Sequence, residues 1–118
     1  MKINKLFFLI FFIFLFSGCQ IVDRLTGIAA IEQKNSADKQ LAKIKCMELC
    51  QNEISNEKDL NQGPCLSNKI IPGWVCDIAH SPRDEMDNEP QNQCSAYREN
   101  LAQHFVELDG NCNLIKAD

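Results

Sequence analysis

The chain has no apolar run long enough to cross a membrane, no Cys-x-x-Cys pair, no internal repeat and a shortage of basic residues. Its longest apolar run, residues 6–16, has 11 residues, whereas a membrane-spanning helix needs about 20. After residue 18 the chain has 10 Lys and Arg residues against 16 Asp and Glu residues, a formal net charge of −6. This charge argues against a nucleic-acid-binding surface, and the absence of tight cysteine pairs argues against a zinc site.

The first 19 residues have the organisation of an export signal. A short basic start, residues 1–5, precedes the apolar run, and the small residues Ser17 and Gly18 follow it. These features indicate a secretory signal peptide. Phe16-Ser17-Gly18-Cys19 also resembles the lipobox of prokaryotic membrane lipoproteins, although Phe16 stands where that family usually has Leu.

The lipoprotein resemblance covers only this segment and implies how the chain is processed. Residues 1–18 would be removed, and the Cys19 thiol would receive a diacylglycerol, with palmitate among the expected acyl chains. Cys19 would then be the first residue of the mature protein. The chain would be anchored by lipid to the extracytoplasmic face of the cell membrane, within the cell envelope.

The remaining 100 residues fit one small domain on a tether. Residues 19–35 have no Cys after the anchor and are predicted to form the tether, and residues 36–118 the globular domain. Six cysteines remain, an even number that predicts three disulfide bonds in an exported chain. They are Cys46, Cys50, Cys65, Cys76, Cys94 and Cys112.

Six cysteines allow 15 connectivities, so spacing alone does not fix the pairing. Cys46 and Cys50 lie four residues apart, on one face of a predicted helix. A chain that turns back along this helix favours Cys50 with Cys65 and Cys46 with Cys76. This leaves Cys94 with Cys112.

Periodicity predicts an α+β fold: one main helix, then short strands that form a small antiparallel sheet, with a C-terminal β-hairpin. Ser36 is the candidate N-cap of a helix over 36–57, whose apolar positions form a wide face. Short strands are predicted on either side of Pro72-Gly73 and of Asp109-Gly110-Asn111, where the turn residues favour hairpins. Residues 95–103 are a candidate short helix.

The segment 77–93 is the candidate binding loop, because ionisable side chains and prolines coincide there with little apolar character. Its candidate residues are Asp77, His80, Arg83, Asp84 and Asp87. The leading interpretation is a non-enzymatic interaction or structural domain that binds a protein or envelope component through this loop. No catalytic residue, cofactor or metal is assigned.

Other functions remain open at the level of sequence. A small hydrolase or metal-dependent enzyme would use Asp77, His80 and His104, which requires the two imidazoles to lie together in a pocket. The acidic side chains at 84–89 could hold calcium, but their spacing does not match an EF-hand. An inhibitor of a foreign extracellular enzyme is a further possibility, because such proteins are often small and disulfide-rich.

Overall fold

The structure is a computed structural model that describes the backbone from Cys19 and the side chains from Arg24 to Asp118. The predicted signal peptide and the Cys19 side chain lie outside the described residues. The elements are helix α1 (Cys19–Ser55), strand β1 (Cys65–Ile71), strand β2 (Trp74–Ile78), a 3-10 helix (Glu85–Asn88), helix α2 (Ser95–Arg98), strand β3 (His104–Leu108) and strand β4 (Leu114–Ala117).

Helix α1 is longer than the sequence predicted. Ser36 lies inside it and is not an N-cap, because the segment before Ser36 contains no Pro and only Gly27 weakens its helical propensity. The chain divides at this point into two units, Met1–Ser36 and Ala37–Asp118, and the second contains the sheet. In the part of the chain that the structure describes, no helix has both the length and the apolar character that crossing a membrane requires.

Only one side of the predicted apolar face of α1 packs against the sheet. Ala42, Cys46 and Cys50 are fully buried, as their spacing predicted. Leu41 and Ile44 are 44% and 55% exposed. The predicted width of the buried face is therefore wrong, because the sheet covers a narrower stripe of the helix.

The α+β fold with a C-terminal hairpin is confirmed, but the sheet is mixed. Its strand order is β1-β2-β3-β4, with antiparallel pairs at both edges and a parallel pair, β2 with β3, in the middle. An entirely antiparallel sheet was the wrong prediction. The crossover over residues 79–103 is long enough to return the chain to the start of the sheet, as a parallel pair requires.

The two faces of the central strands have different roles, because successive side chains of a strand point to opposite sides. Trp74, Cys76 and Ile78 belong to the core that includes α1. Val75 packs instead with Cys94 of the crossover, and Asp77 shares its side of the strand. One face is therefore the structural core, and the other lies beneath the crossover.

Three disulfide bonds connect these layers, and all six predicted cysteines take part. The bond between Cys46 and Cys76 is the predicted one. The other two predicted pairs are wrong, since Cys50 bonds to Cys112 and Cys65 to Cys94. The nested pairing assumed that the chain follows the helix directly, whereas the crossover carries Cys94 over β1 and the last hairpin places Cys112 beside α1.

Candidate functional site

The predicted binding loop has a buried carboxylate at its centre. The Asp87 side chain is 1% exposed. It accepts hydrogen bonds from the backbone amide of His80 at 3.1 Å to each oxygen and from that of Asp84 at 2.8 Å. Gly63 lies so close that an added Cβ would be 2.8 Å from the Asp87 Oδ1 atom. Asp87 therefore holds the loop in place and does not project to solvent as a binding loop would require.

His80 is the partner of this carboxylate. Its Nδ1 atom is 2.8 Å from Asp87 Oδ1, and its Nε2 atom is 3.0 Å from the carbonyl oxygen of Asn61. Both ring nitrogens face acceptors, which suits the protonated imidazolium because that form donates from both. The hydrogen bond to Asp87 raises the pKa of His80. Burial raises the pKa of Asp87, but the hydrogen bonds from the Asp84 amide and from His80 outweigh it and lower that pKa overall.

Asp84 begins the 3-10 helix and belongs to the same network. Its carboxylate accepts from the Met86 amide, and its own amide donates to Asp87, which is a reciprocal capping arrangement. Three of the five predicted loop residues, Asp87, His80 and Asp84, thus stabilise the loop itself.

Asp77 and Arg83, the other two predicted residues, line a cleft on the side of the sheet that faces the crossover. The cleft has a volume of about 390 Å³, which is in the range of small-ligand sites. Its lining residues are Val75, Asp77, Arg83, Gln93, Cys94, Tyr97, Arg98, Phe105 and Glu107. Strands β2 and β3 therefore supply its floor, while the loop and α2 supply its walls.

Two carboxyl groups lie side by side in this cleft. Asp77 and Glu107 are register partners on the parallel strands β2 and β3, and adjacent strands are about 4.8 Å apart. Arg83 forms an ion pair with Glu107, with 2.5 Å between its Nη1 atom and Oε1. This ion pair connects the loop to β3.

The environment of Asp77 makes its carboxyl group a weaker acid than that of an ordinary aspartate. Burial, followed by the negative charge of Glu107, raises the pKa of Asp77 to about 7. The group therefore changes its charge near neutral pH, which is a property that functional sites often have.

One wall of the cleft is aromatic. Tyr97 and Phe105 meet edge to face, with 5.2 Å between their ring centroids, and Tyr97 is 43% exposed. The disulfide between Cys65 and Cys94 fixes the start of α2, and with it Tyr97, against the sheet. An exposed aromatic side chain on a rigid scaffold is a common element of binding sites.

The structure separates the residues proposed for an enzyme. His104 pairs with Trp74 at the beginning of the parallel strands, and their rings stack at 4.6 Å. His80 follows the other end of β2. Four residues of strand span about 13 Å, so the two imidazoles do not share a pocket.

Several of the groups that could bind a metal ion have other partners. Asp84 and Asp87, of the acidic cluster, accept hydrogen bonds within the loop. The ligand atoms of Cys65, Asp77 and Cys94 lie within 4.8 Å of one another, but the two sulfur atoms form a disulfide. A cysteine binds a metal ion as its thiolate, and the two sulfur atoms of this disulfide cannot take that form while the bond is intact.

Sequence reasoning missed Glu107, Arg98 and Gln93 as members of a site. Glu107 lies beside Asp77 only because β2 and β3 are parallel. The prediction of antiparallel strands therefore did not place the two residues together. Alternation along β3 could have placed Phe105 and Glu107 on one face.

Comparisons with known proteins add no family to this description. No protein-family model matches the chain, and neither a curated protein nor a solved structure matches it.

Proposed function

We propose that this protein is a lipid-anchored extracytoplasmic lipoprotein whose disulfide-bonded domain binds a protein or another component of the cell envelope without catalysing a reaction. The membrane is its first partner, through the lipid on Cys19. The second partner binds in the cleft that includes Asp77 and Arg83. Nucleic acid is not a partner, because the mature chain is acidic.

The single observation that supports binding is the cleft itself. It combines an exposed aromatic side chain, paired and unpaired charges and a rigid floor of two central strands. Binding sites commonly consist of a few directed polar groups in an otherwise apolar concave surface. The three disulfides support an oxidising compartment, where such bonds persist.

Cys19→Ser tests the anchor. We expect this change to abolish incorporation of labelled fatty acid and to release the domain from the membrane fraction, since a lipid with two or more chains holds a protein firmly. An unchanged membrane fraction, with an intact mass that includes no lipid, would contradict the proposal.

A pull-down from native membranes tests the cleft. We expect the double variant Tyr97→Ala/Arg98→Ala to lose the partner that the unmodified protein retains. Leu101→Ala is the matched control, because Leu101 follows the same helix, is 74% exposed and does not line the cleft. Equal retention by the double variant would remove the cleft from the binding function.

A further inference from the structure

The cleft is lined by two carboxyl groups and two guanidinium groups, but within the described part of the chain only one of the carboxyl groups has an ion-pair partner. Asp77 and Glu107 point from adjacent strands into the same cleft. Glu107 has an ion-pair partner, Arg83. Among the residues that the structure describes, none forms an ion pair with Asp77.

Neither arginine of the cleft is free to turn to Asp77. Besides its bond to Glu107, Arg83 donates to the Asn88 side chain at 3.2 Å and to the carbonyl oxygen of Asp87 at 3.3 Å. Arg98 donates to the carbonyl oxygen of Pro90 at 2.8 Å. Both guanidinium groups therefore have acceptors other than Asp77.

Four charged side chains from three surrounding elements lie near Asp77. Glu107 comes from β3, Arg83 and Asp87 come from the loop, and Arg98 comes from α2. Burial raises the pKa of Asp77 most, and the charges of Glu107 and Asp87 raise it further. A backbone hydrogen bond from Ile78 and the charge of Arg83 lower this pKa without reversing the shift. A cation beside Asp77 would remove this imbalance.

The aromatic wall favours an organic cation with an apolar stem over a hydrated metal ion. Val75, Tyr97 and Phe105 offer apolar surface within reach of the carboxyl pair. Phe105 already has a cation near its ring, since the Lys116 Nζ atom is 5.3 Å from the ring centroid. Lysine and arginine side chains bury their stems on such surfaces while their charges find a carboxylate.

We propose that the cleft receives a basic side chain, lysine or arginine, from a protein partner, with its charge between Asp77 and Glu107 and its stem along Tyr97 and Phe105. The acidic mature chain complements a basic partner in charge. This inference rests on the proposed binding function and specifies the chemistry of the partner.

An NMR titration of the ¹⁵N-labelled purified exported protein tests this inference. The probe is N-acetyl-lysine methylamide, and the control is N-acetyl-norleucine methylamide, which has the same stem without the charge. We expect saturable shifts at Val75, Asp77 and Glu107 with the lysine probe alone. Equal shifts with both compounds, or none with either, would overturn the inference.

Two variants test whether the Asp77 carboxyl group binds the cation. Asp77→Asn should weaken binding of the lysine probe by about tenfold or more, as expected for the loss of a close charge pair. Glu85→Gln makes the same change in net charge at an exposed position outside the cleft and should leave binding unchanged. Equal affinity in the unmodified protein and in Asp77→Asn would contradict the inference.

The pH dependence provides an independent readout. A bound cation favours the ionised form of Asp77, so binding releases a proton and affinity should rise by about tenfold between pH 6 and pH 8. A flat profile would argue against Asp77 as the recognition group. If Asp77→Asn retains the native-membrane partner while Tyr97→Ala/Arg98→Ala loses it, the cation inference fails and the binding function stands.

Discussion

Asp77 and Asp87 lie in the same polar stretch of sequence but have opposite surroundings. Asp87 is surrounded by donors, and these lower its pKa in spite of its burial. Asp77 is beside another carboxylate, and burial together with that charge raises its pKa. One aspartate therefore stabilises the loop when ionised, whereas the other destabilises the folded state when ionised.

Asp87→Asn should destabilise the domain by about 1–3 kcal/mol, because the backbone amides of His80 and Asp84 and the His80 ring lose a charged acceptor. Urea unfolding measures the change. Glu85→Gln is the control, since its side chain is exposed in the same 3-10 helix. A variant as stable as the unmodified protein would show that the network contributes little.

Asp77→Asn should have the opposite effect at neutral and basic pH. The folded-state pKa of about 7 lies above the usual value of 3.8, so the folded state binds more protons between these values and stability falls as pH rises. The variant removes this fall and should gain about 2–4 kcal/mol at pH 8 relative to pH 4. Unfolding curves at both pH values provide the measurement, and an unchanged slope would contradict the expectation.

His80 adds a second pH dependence. Its raised pKa means that the stability from the pair with Asp87 is complete below about 6.5 and is lost as pH rises through the folded-state pKa. His80→Gln should therefore flatten the fall in stability above pH 6.5. The fall between pH 4 and pH 6, which Asp77 causes, should remain. NMR titration of the His80 ring checks the direction of the shift.

At the scale of elements, the sequence predicted the existence of the main helix, the strands and the last hairpin, because each depends on local periodicity and turn residues. Asp109 shows why the hairpin forms, since its carboxylate accepts from the amides of Asn111 and Asn113 at 2.9 Å. Both predicted hairpins form, but the entirely antiparallel sheet and two disulfides were wrong, because these depend on where the crossover between β2 and β3 runs. The site was half predictable for the same reason: Asp77 has local signals, whereas its neighbour Glu107 comes from a distant strand.

Removal of the Cys50–Cys112 bond and removal of the Cys65–Cys94 bond should affect the domain differently. Replacing Cys50 and Cys112 by Ala releases α1 from the last hairpin and should cost roughly 4 kcal/mol, given a sequence separation of 62 residues. Replacing Cys65 and Cys94 by Ala also destabilises the domain, but it additionally frees α2 and should weaken binding in the cleft. Denaturation and probe titration together distinguish these effects. Equal losses of probe affinity would show that the position of α2 is not specific to the Cys65–Cys94 bond.

At the scale of the whole molecule, a small core and three disulfides make folding depend on the oxidation of the cysteines. The described core includes few large apolar side chains, and cysteines form much of its fully buried part. Small domains bury a smaller share of their surface than large ones do, so cross-links contribute a large part of their stability. Oxidation of the six cysteines is therefore linked to folding.

This dependence gives a prediction for the protein as a whole. Mass spectrometry of the purified, unreduced protein should show six hydrogens fewer than the reduced form, and none of the six disulfide cysteines should react with an alkylating reagent. Added reductant should abolish the cooperative unfolding transition at neutral pH, because the three cross-links together contribute a free energy comparable to the whole stability of a small domain. The Tyr97 and Phe105 wall should disorder at the same step, which fluorescence of Tyr97 or NMR of the Phe105 ring would detect. A reduced protein that keeps its unfolding midpoint would show that the core is sufficient without disulfides and would weaken the argument for an oxidising compartment.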